Sequence, residues 1–211
     1  ARAPATTDEA LGPEPAYARI KRALDIAVAG GALVLTCWLF VAIAAAVAVG
    51  VQRPIVFTQV RPGRGRRPFR LYKFRTMRDP IAPDGRRLTD AARTPWVGRL
   101  LRRVRLDELP QFWNVLRGDM TLIGPRPLVA ADLDAMPDGG RIRCAVRPGI
   151  TGWAQVNGGH QLTTDEKLAL DLWYAENASW RLDAEIVART LAMMVRGERR
   201  SHAALAAARV G

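Results

Sequence analysis

Apolar and polar residues are spread very unevenly along this chain. From Ile26 to Val51 there are twenty-six consecutive residues without a charge, bracketed by Asp25 and Arg53. As one helix that stretch would extend roughly 39 Å, beyond a hydrocarbon core of about 30 Å. Its length and uniformity predict membrane insertion rather than a buried soluble helix. A signal peptide is disfavoured, because Asp8, Glu9 and Glu14 come first where a basic start is wanted. A spanning helix and a re-entrant hairpin both fit the length. Arg19, Lys21 and Arg22 precede the segment while Arg53, Arg61 and Arg64 follow it. Both flanks therefore read as cytoplasmic, which favours the re-entrant form.

Beyond the apolar run the pattern shortens. Ile55 to Arg61 and Phe69 to Met77 read as the strands of a hairpin closed by Pro62-Gly63-Arg64-Gly65. Residues 79–93 form a polar loop. Thr94-Pro95 reads as a helix start, Thr as N-cap and Pro at the first position. That helix carries Trp96, Val97, Leu100, Leu101 and Val104 on one face, with Arg99, Arg102 and Arg103 largely off it. Such a basic amphipathic helix suits an anionic membrane surface better than a core-facing place, since the chain is already tethered there. A second helix is predicted from Asp107 or Glu108 to Arg117, with Pro110 in its first turn and Gly118 at its end. Thr163 and Glu166 have capping-box spacing before a helix to about Glu176, and Ser179 caps a last helix through Val195.

The expected organisation is a flexible lead (1–18), a membrane-inserted helical segment (19–53), a cytoplasmic catalytic domain (54–197) and a tail (198–211). The fold class is α+β and mainly helical: a membrane-embedded N-terminal helix, re-entrant or spanning, one small β-hairpin, and amphipathic interfacial helices.

Charge sharpens this picture. The 211 residues carry a net charge of +12. Between Arg61 and Arg105 stand fourteen Arg and one Lys against Asp79, Asp84 and Asp90, so the whole excess lies in that stretch. Two cysteines, Cys37 and Cys144, cannot make a disulfide scaffold, and a reduced compartment is expected. His160 and His202 stand alone, which excludes the usual zinc motifs.

Asp107-Glu108 is the candidate reactive pair. Acids there would also stabilise a helix start, by roughly 0.3–1 kcal/mol. Among so many arginines an ionised Asp can attack phosphorus, and a neighbouring carboxylate can hold Mg²⁺ against phosphate oxygens. Lys73, Arg75, Arg126 and Arg147 are candidate phosphate clamps. Lys73 and Arg75 share a strand face with Phe69 and Leu71, and Arg126 is restrained between Pro125 and Pro127.

The ordered motifs then become specific: Lys21-Arg22 with Asp25, Phe57-x-Gln59-x-Arg61-x-Gly63, Lys73-Phe74-Arg75-Thr76-Met77, Asp107-Glu108-Leu109-Pro110-Gln111, Asn114-Val115-Leu116-x-Gly118-Asp119-Met120, Gly124-Pro125-Arg126-Pro127 and Arg147 to Asn157. Together they resemble the bacterial sugar transferases, the monotopic polyprenyl-phosphate glycosyl-1-phosphate transferases. Lys167, Asp171, Tyr174, Asn177, Ser179, Asp183, Ile186 and Thr190 extend the likeness. The resemblance implies transfer of a sugar-1-phosphate from a nucleotide diphosphate sugar, usually a UDP-sugar, to undecaprenyl phosphate. The products are undecaprenyl-diphosphate sugar and UMP. It further implies Asp107 as nucleophile, Glu108 as Mg²⁺ ligand, Lys73 and Arg126 as phosphate contacts, with Arg75 and Arg147 as further contacts. The implied place is the bacterial inner membrane, with the catalytic domain on its cytoplasmic face against anionic lipids. The pathway implied is an exopolysaccharide, lipopolysaccharide or related glycan.

Two departures accompany the likeness. The family's membrane helix usually breaks at Ser-Pro, where this chain has Cys37-Trp38 and no proline from Ile26 to Val51. After Asn157 the family continues Gly-Arg, and this chain reads Gly158-Gly159-His160. A nucleic-acid binder would share the basic stretch, but stacking motifs, zinc fingers and helix-turn-helix signatures are missing and no nucleic acid is expected. An inactive scaffold would have lost one of Asp107, Glu108, Lys73 or Arg126. Trp96, Trp113, Trp153, Trp173 and Trp180 offer apolar anchors for lipid or for a second copy in a homo-oligomer.

Overall fold

A computed structural model describes residues 16–81, 85–136, 140 and 142–210. The flexible lead predicted for residues 1–18 lies outside them except for its last three, which open the first helix. The apolar run does not form one rod. It is divided between α1 (Ala16–Leu35) and α2 (Cys37–Gly50), bent by 63° at Thr36. Among the described residues no single helix is long and apolar enough to cross a membrane. No proline stands at the break; the Thr36 hydroxyl donates to the Ala32 carbonyl at 2.6 Å, a local bond of the kind that often bends helices. Replacing Thr36 with Ala is expected to open the bend and lengthen the distance between spin labels at Val28 and Val49. An unchanged distance would mean that the packing of α2 alone sets the angle.

The polar residues of α1 turn inward. Arg22 donates to the carbonyls of Val115 and Leu116, and Asp25 accepts from the Thr121 hydroxyl and the Leu122 N–H. Lys21 bonds Asp183, Tyr174 and the Ile123 carbonyl. Two of the three basic residues of the flank read as cytoplasmic, Lys21 and Arg22, are thus spent on folding. Ala29 joins Phe69, Leu71, Val115 and Met120 in one core cluster, which seats α1 against the strand Pro68–Phe74 and the helix Gln111–Arg117.

The predicted hairpin is present. β1 (Val56–Pro62) pairs antiparallel with β2 (Pro68–Phe74), in register from Val56–Phe74 to Pro62–Pro68. β2 stops at Phe74, so Arg75, Thr76 and Met77 leave the strand sooner than their apolar alternation suggested. A short helix, α3 (Asp90–Arg93), interrupts the expected polar loop. It also moves Thr94 from the predicted N-cap to the end of α3, and α4 (Trp96–Arg103) starts from Pro95.

The apolar face of α4 divides. Val97 and Leu101 pack with Ile43, Val47 and Val51 from the end of α2, whereas Trp96, Leu100 and Val104 stay exposed. Gly98 is required at this crossing, since a Cβ there would lie 1.9 Å from the Thr76 carbonyl oxygen.

α5 (Gln111–Arg117) begins later than predicted, from Pro110, and ends on Gly118 at φ 88° as the C-cap pattern required. A second sheet went unpredicted. β3 (Thr121–Ile123) lies parallel to β4 (Gly149–Thr151), the strand beginning inside the Arg147-Pro148-Gly149 turn. Short helices α6 (Ala130–Asp134) and α7 (Trp153–Val156) follow β3 and β4. The capping box of Thr163 and Glu166 opens α8 (Thr164–Asn177), and Ser179 caps α9 (Trp180–Arg196). α9 is not the last helix. α10 (His202–Val210) buries Leu205 against Leu170, Tyr174 and Ile186, so the predicted tail is part of a core. In that cluster Trp153 stacks on Trp173, which removes both from the set of lipid anchors.

Candidate active site

The main cavity, about 1170 Å³, opens between the β-hairpin, α4 and the C-terminal end of α9. Its floor comes from the turn after α4. Arg105 adopts a left-handed conformation, φ 56°, and the following 3-10 turn Leu106–Glu108 delivers Asp107 and Glu108 into the cavity wall. A non-glycine residue there is strained by about 1–3 kcal/mol, and such strain persists only where surrounding contacts impose it. The Arg105 side chain itself reaches Glu198, whose Oε1 accepts from Arg105 Nη2 at 3.1 Å.

Asp107 and Glu108 are both buried. Lys73 Nζ and Arg126 Nη2 reach the same oxygen, Glu108 Oε1, at 2.7 and 2.6 Å. The strand-face argument holds for Lys73: with Phe69 and Leu71 turned into the core, Lys73 stands next along that face at the cavity. The two carboxyls differ in their electrostatics. Burial raises the Asp107 carboxyl, the charge of Glu108 adds to this, and Lys73 and Arg102 offset it only in part. Burial acts on Glu108 in the same sense, but Arg126 and Lys73 outweigh it and hold the carboxyl at about 2. The sequence-based expectation that arginines keep both acids readily ionised therefore applies to Glu108, and Asp107 is shifted the other way.

Arg75 also lines the cavity, pinned at 2.8 Å on Asp79 at the rim. Arg147 is not brought to this site. It lines a separate cavity of about 370 Å³ with Tyr17, Lys21, Asp25 and Tyr174. Among the predicted residues the fold thus gathers Lys73, Arg75, Asp107, Glu108 and Arg126.

Sequence reasoning passed over Glu198, and it marked His160 only as part of a departure from the family motif. Glu198 Oε2 accepts from the His160 N–H at 2.8 Å, and its carbonyl accepts from Gln161 Nε2. One carboxylate after α9 therefore ties the Gly158-Gly159-His160 departure to Arg105 and hence to the turn that carries Asp107 and Glu108. Position 198 had been assigned to the tail, and no local pattern marks it. Part of the basic stretch is accounted for. Arg61, Arg93, Arg102, Arg103 and Arg105 all border this one cavity, so the charge is focused on a concave site.

Among the described residues no cluster of three or more His, Cys, Asp or Glu side chains could hold a metal unaided. The donor set nevertheless suits Mg²⁺, which is commonly held by one or two carboxylates and completed by substrate phosphates. Both protein cations bond Oε1 of Glu108, so its second oxygen and the Asp107 carboxyl are the hard donors at the cavity.

The family described as bacterial sugar transferase matches residues 16–197. The chain is 42% identical over 172 residues to an uncharacterised sugar transferase, EpsL, of Bacillus subtilis, covering 82% of this chain and 85% of that protein. It is 40% identical over 195 residues to a UDP-N-acetylgalactosamine-undecaprenyl-phosphate N-acetylgalactosaminephosphotransferase of Aeromonas hydrophila, covering 89% of this chain and 46% of that one. Over 184 residues it is 38% identical to a UDP-glucose:undecaprenyl-phosphate glucose-1-phosphate transferase of Escherichia coli, covering 82% and 39%. The chain therefore spans less than half the length of the latter two.

Proposed function

The chain belongs to the bacterial sugar transferase family, and from that premise we propose that it transfers a sugar-1-phosphate from a UDP-sugar to undecaprenyl phosphate at a membrane surface. The observation that carries this reading is the convergence of Lys73 and Arg126 on one oxygen of Glu108 beside a buried Asp107 in a basic cavity. The names of its Aeromonas and Escherichia relatives supply the acceptor and the donor type.

In the first step an Asp107 carboxylate oxygen attacks the sugar-bearing phosphorus of the donor, and the bond to the bridging oxygen breaks to release UMP. The mixed anhydride so formed is then attacked by a phosphate oxygen of undecaprenyl phosphate, giving undecaprenyl-diphosphate sugar and regenerating the carboxylate. Lys73, Arg126 and Arg75 orient and neutralise the diphosphate, at positions fixed before substrate arrives. Mg²⁺ held by Glu108 would supply further charge neutralisation on the phosphate oxygens. The place of the reaction is the cytoplasmic face of a bacterial inner membrane, where it would begin a surface polysaccharide or related glycan. The α1–α2 bend enters and leaves the bilayer on one side, and Trp96, Leu100 and Val104 lie in the interface among anionic lipids. Those three exposed apolar residues flank the α2 contact, which supports this placement.

Purified protein in nanodiscs, given radiolabelled UDP-sugars, undecaprenyl phosphate and Mg²⁺, should release UMP with at least one sugar. No UMP from a broad panel would refute the reading. The rate should also rise with pH along an acid limb set above the ordinary aspartate range, because Asp107 must lose its proton to attack. Lys73 lowers the Asp107 carboxyl, so Lys73→Met should move that limb to still higher pH. An unmoved limb would assign the titration elsewhere.

A further inference from the structure

The Pro125-Arg126-Pro127 loop poses a hydrogen-bonding problem. Neither proline has an N–H, so the loop cannot be fixed by an ordinary ladder and its carbonyls must find donors from elsewhere. The Pro125 carbonyl accepts from the Gly149 N–H at 2.8 Å, and the Pro127 carbonyl accepts from Arg61 Nη1 at 3.4 Å. The carbonyl of Arg126 itself accepts from Arg143 Nη2. Arg143 is in turn held through its Nε by Asp171 Oδ2 of α8 at 2.8 Å, with side chains only 4% and 5% exposed.

Stability is a poor explanation for this pair. Desolvating two charges offsets most of their attraction, and well-packed apolar residues of similar volume do as well or better. The pair is also incompletely satisfied, because Asp171 Oδ1 is buried without a hydrogen-bond partner among the described residues. What the pair does accomplish is geometric. It fixes the backbone atom from which the Arg126 side chain departs toward Glu108 Oε1.

We infer that the buried Arg143–Asp171 pair is a positioning device that locks the Pro-Arg-Pro loop so that the Arg126 guanidinium is aimed at the catalytic turn before substrate binds. The inference rests on the proposed reaction for its kinetic consequence, though not for its structural one. Arg143 and Asp171 touch no reacting atom; they act through Arg126.

The test is the double replacement Arg143→Met with Asp171→Leu, which keeps volume and removes both charges together, so that neither is left buried alone. Thermal melting should stay within a few degrees of the parent, while kcat falls about 10–100-fold, the scale expected for a misplaced contact, and KM changes less. In an Arg126→Ala background the same double replacement should cost less than about twofold, because the residue being positioned is already gone. Arg143→Lys should not restore the rate, since one ammonium cannot reproduce the planar fork that serves both partners.

A second readout needs no substrate. In protein labelled with ¹⁵N-arginine, the guanidinium resonance that disappears in Arg126→Ala should be slowly exchanging in the parent and exchange rapidly in the double variant. A protected Arg126 guanidinium in the double variant overturns the inference, as does an undiminished loss of rate in the Arg126→Ala background. If the parent protein transfers no sugar phosphate, the functional reading fails and the resonance still decides the positioning claim.

Discussion

Asp107→Asn is expected to abolish transfer while making the protein more stable. The rate should drop by at least about 10³-fold, since removal of a covalent nucleophile leaves only binding and charge neutralisation. The stability gain follows from the direction of the Asp107 shift. Its folded carboxyl lies above its unfolded value because of burial and the neighbouring Glu108. Its stabilising contribution is therefore complete below the unfolded pKa and is lost as pH rises through the folded one. At neutral pH the ionised side chain opposes folding, and a neutral amide of the same size relieves that. Melting temperatures at pH 7 and pH 4 check the sign: the gain should be larger at pH 7. A variant less stable than the parent at pH 7 would indicate that the Asp107 carboxylate is satisfied by the fold rather than held in readiness for chemistry.

Glu108→Gln should also lose activity but have the opposite effect on stability, lowering it. Its carboxylate is the common anchor of Lys73 and Arg126, and those cations hold it at about 2. For a depressed carboxyl the contribution is present above the unfolded pKa and lost as pH falls toward 2. A glutamine oxygen in the same place can still accept from both cations but carries no charge to balance either. Turnover is expected to fall about 10²–10³-fold through loss of phosphate alignment. Stability should fall by about 1–2 kcal/mol, a figure reduced because Arg126 is partly open to solvent. The measurements are UMP release under saturating donor and denaturant unfolding at pH 7. Parent-like turnover would remove Glu108 from the site.

The two acids stand next to each other in sequence, and the fold separates their roles. Burial raises the Asp107 carboxyl, while Glu108 is held ionised by Lys73 and Arg126. That separation depends on the turn at Arg105, which is where sequence reading reached its limit. The Lys73, Glu108 and Arg126 constellation was legible because each lies in a compact motif with restricted backbone. So were the hairpin, the Thr163–Glu166 capping box and the Gly118 C-cap, all set by interactions within a few residues.

The features that escaped are set across long separations. β3 and β4 are three residues each and exist only by pairing with one another. The left-handed Arg105 carries a side chain that meets its partner, Glu198, only ninety-three residues later. Arg143 and Asp171 look like an ordinary surface charge and a helical acid until the chain is folded around them. For the apolar run the basic flanks favoured a re-entrant form, but the residue at the break was not legible: proline is the familiar cause, and here Thr36 stands there with its hydroxyl bonded to the preceding turn.

The most direct measurement is mass spectrometry on enzyme quenched during turnover with a UDP-sugar and no lipid acceptor. A mass increase equal to one sugar phosphate, mapped by peptide fragmentation to Asp107 and discharged when undecaprenyl phosphate is added, is the result expected. An adduct on any other side chain, or steady UMP release with the protein never carrying the added mass, would contradict the account.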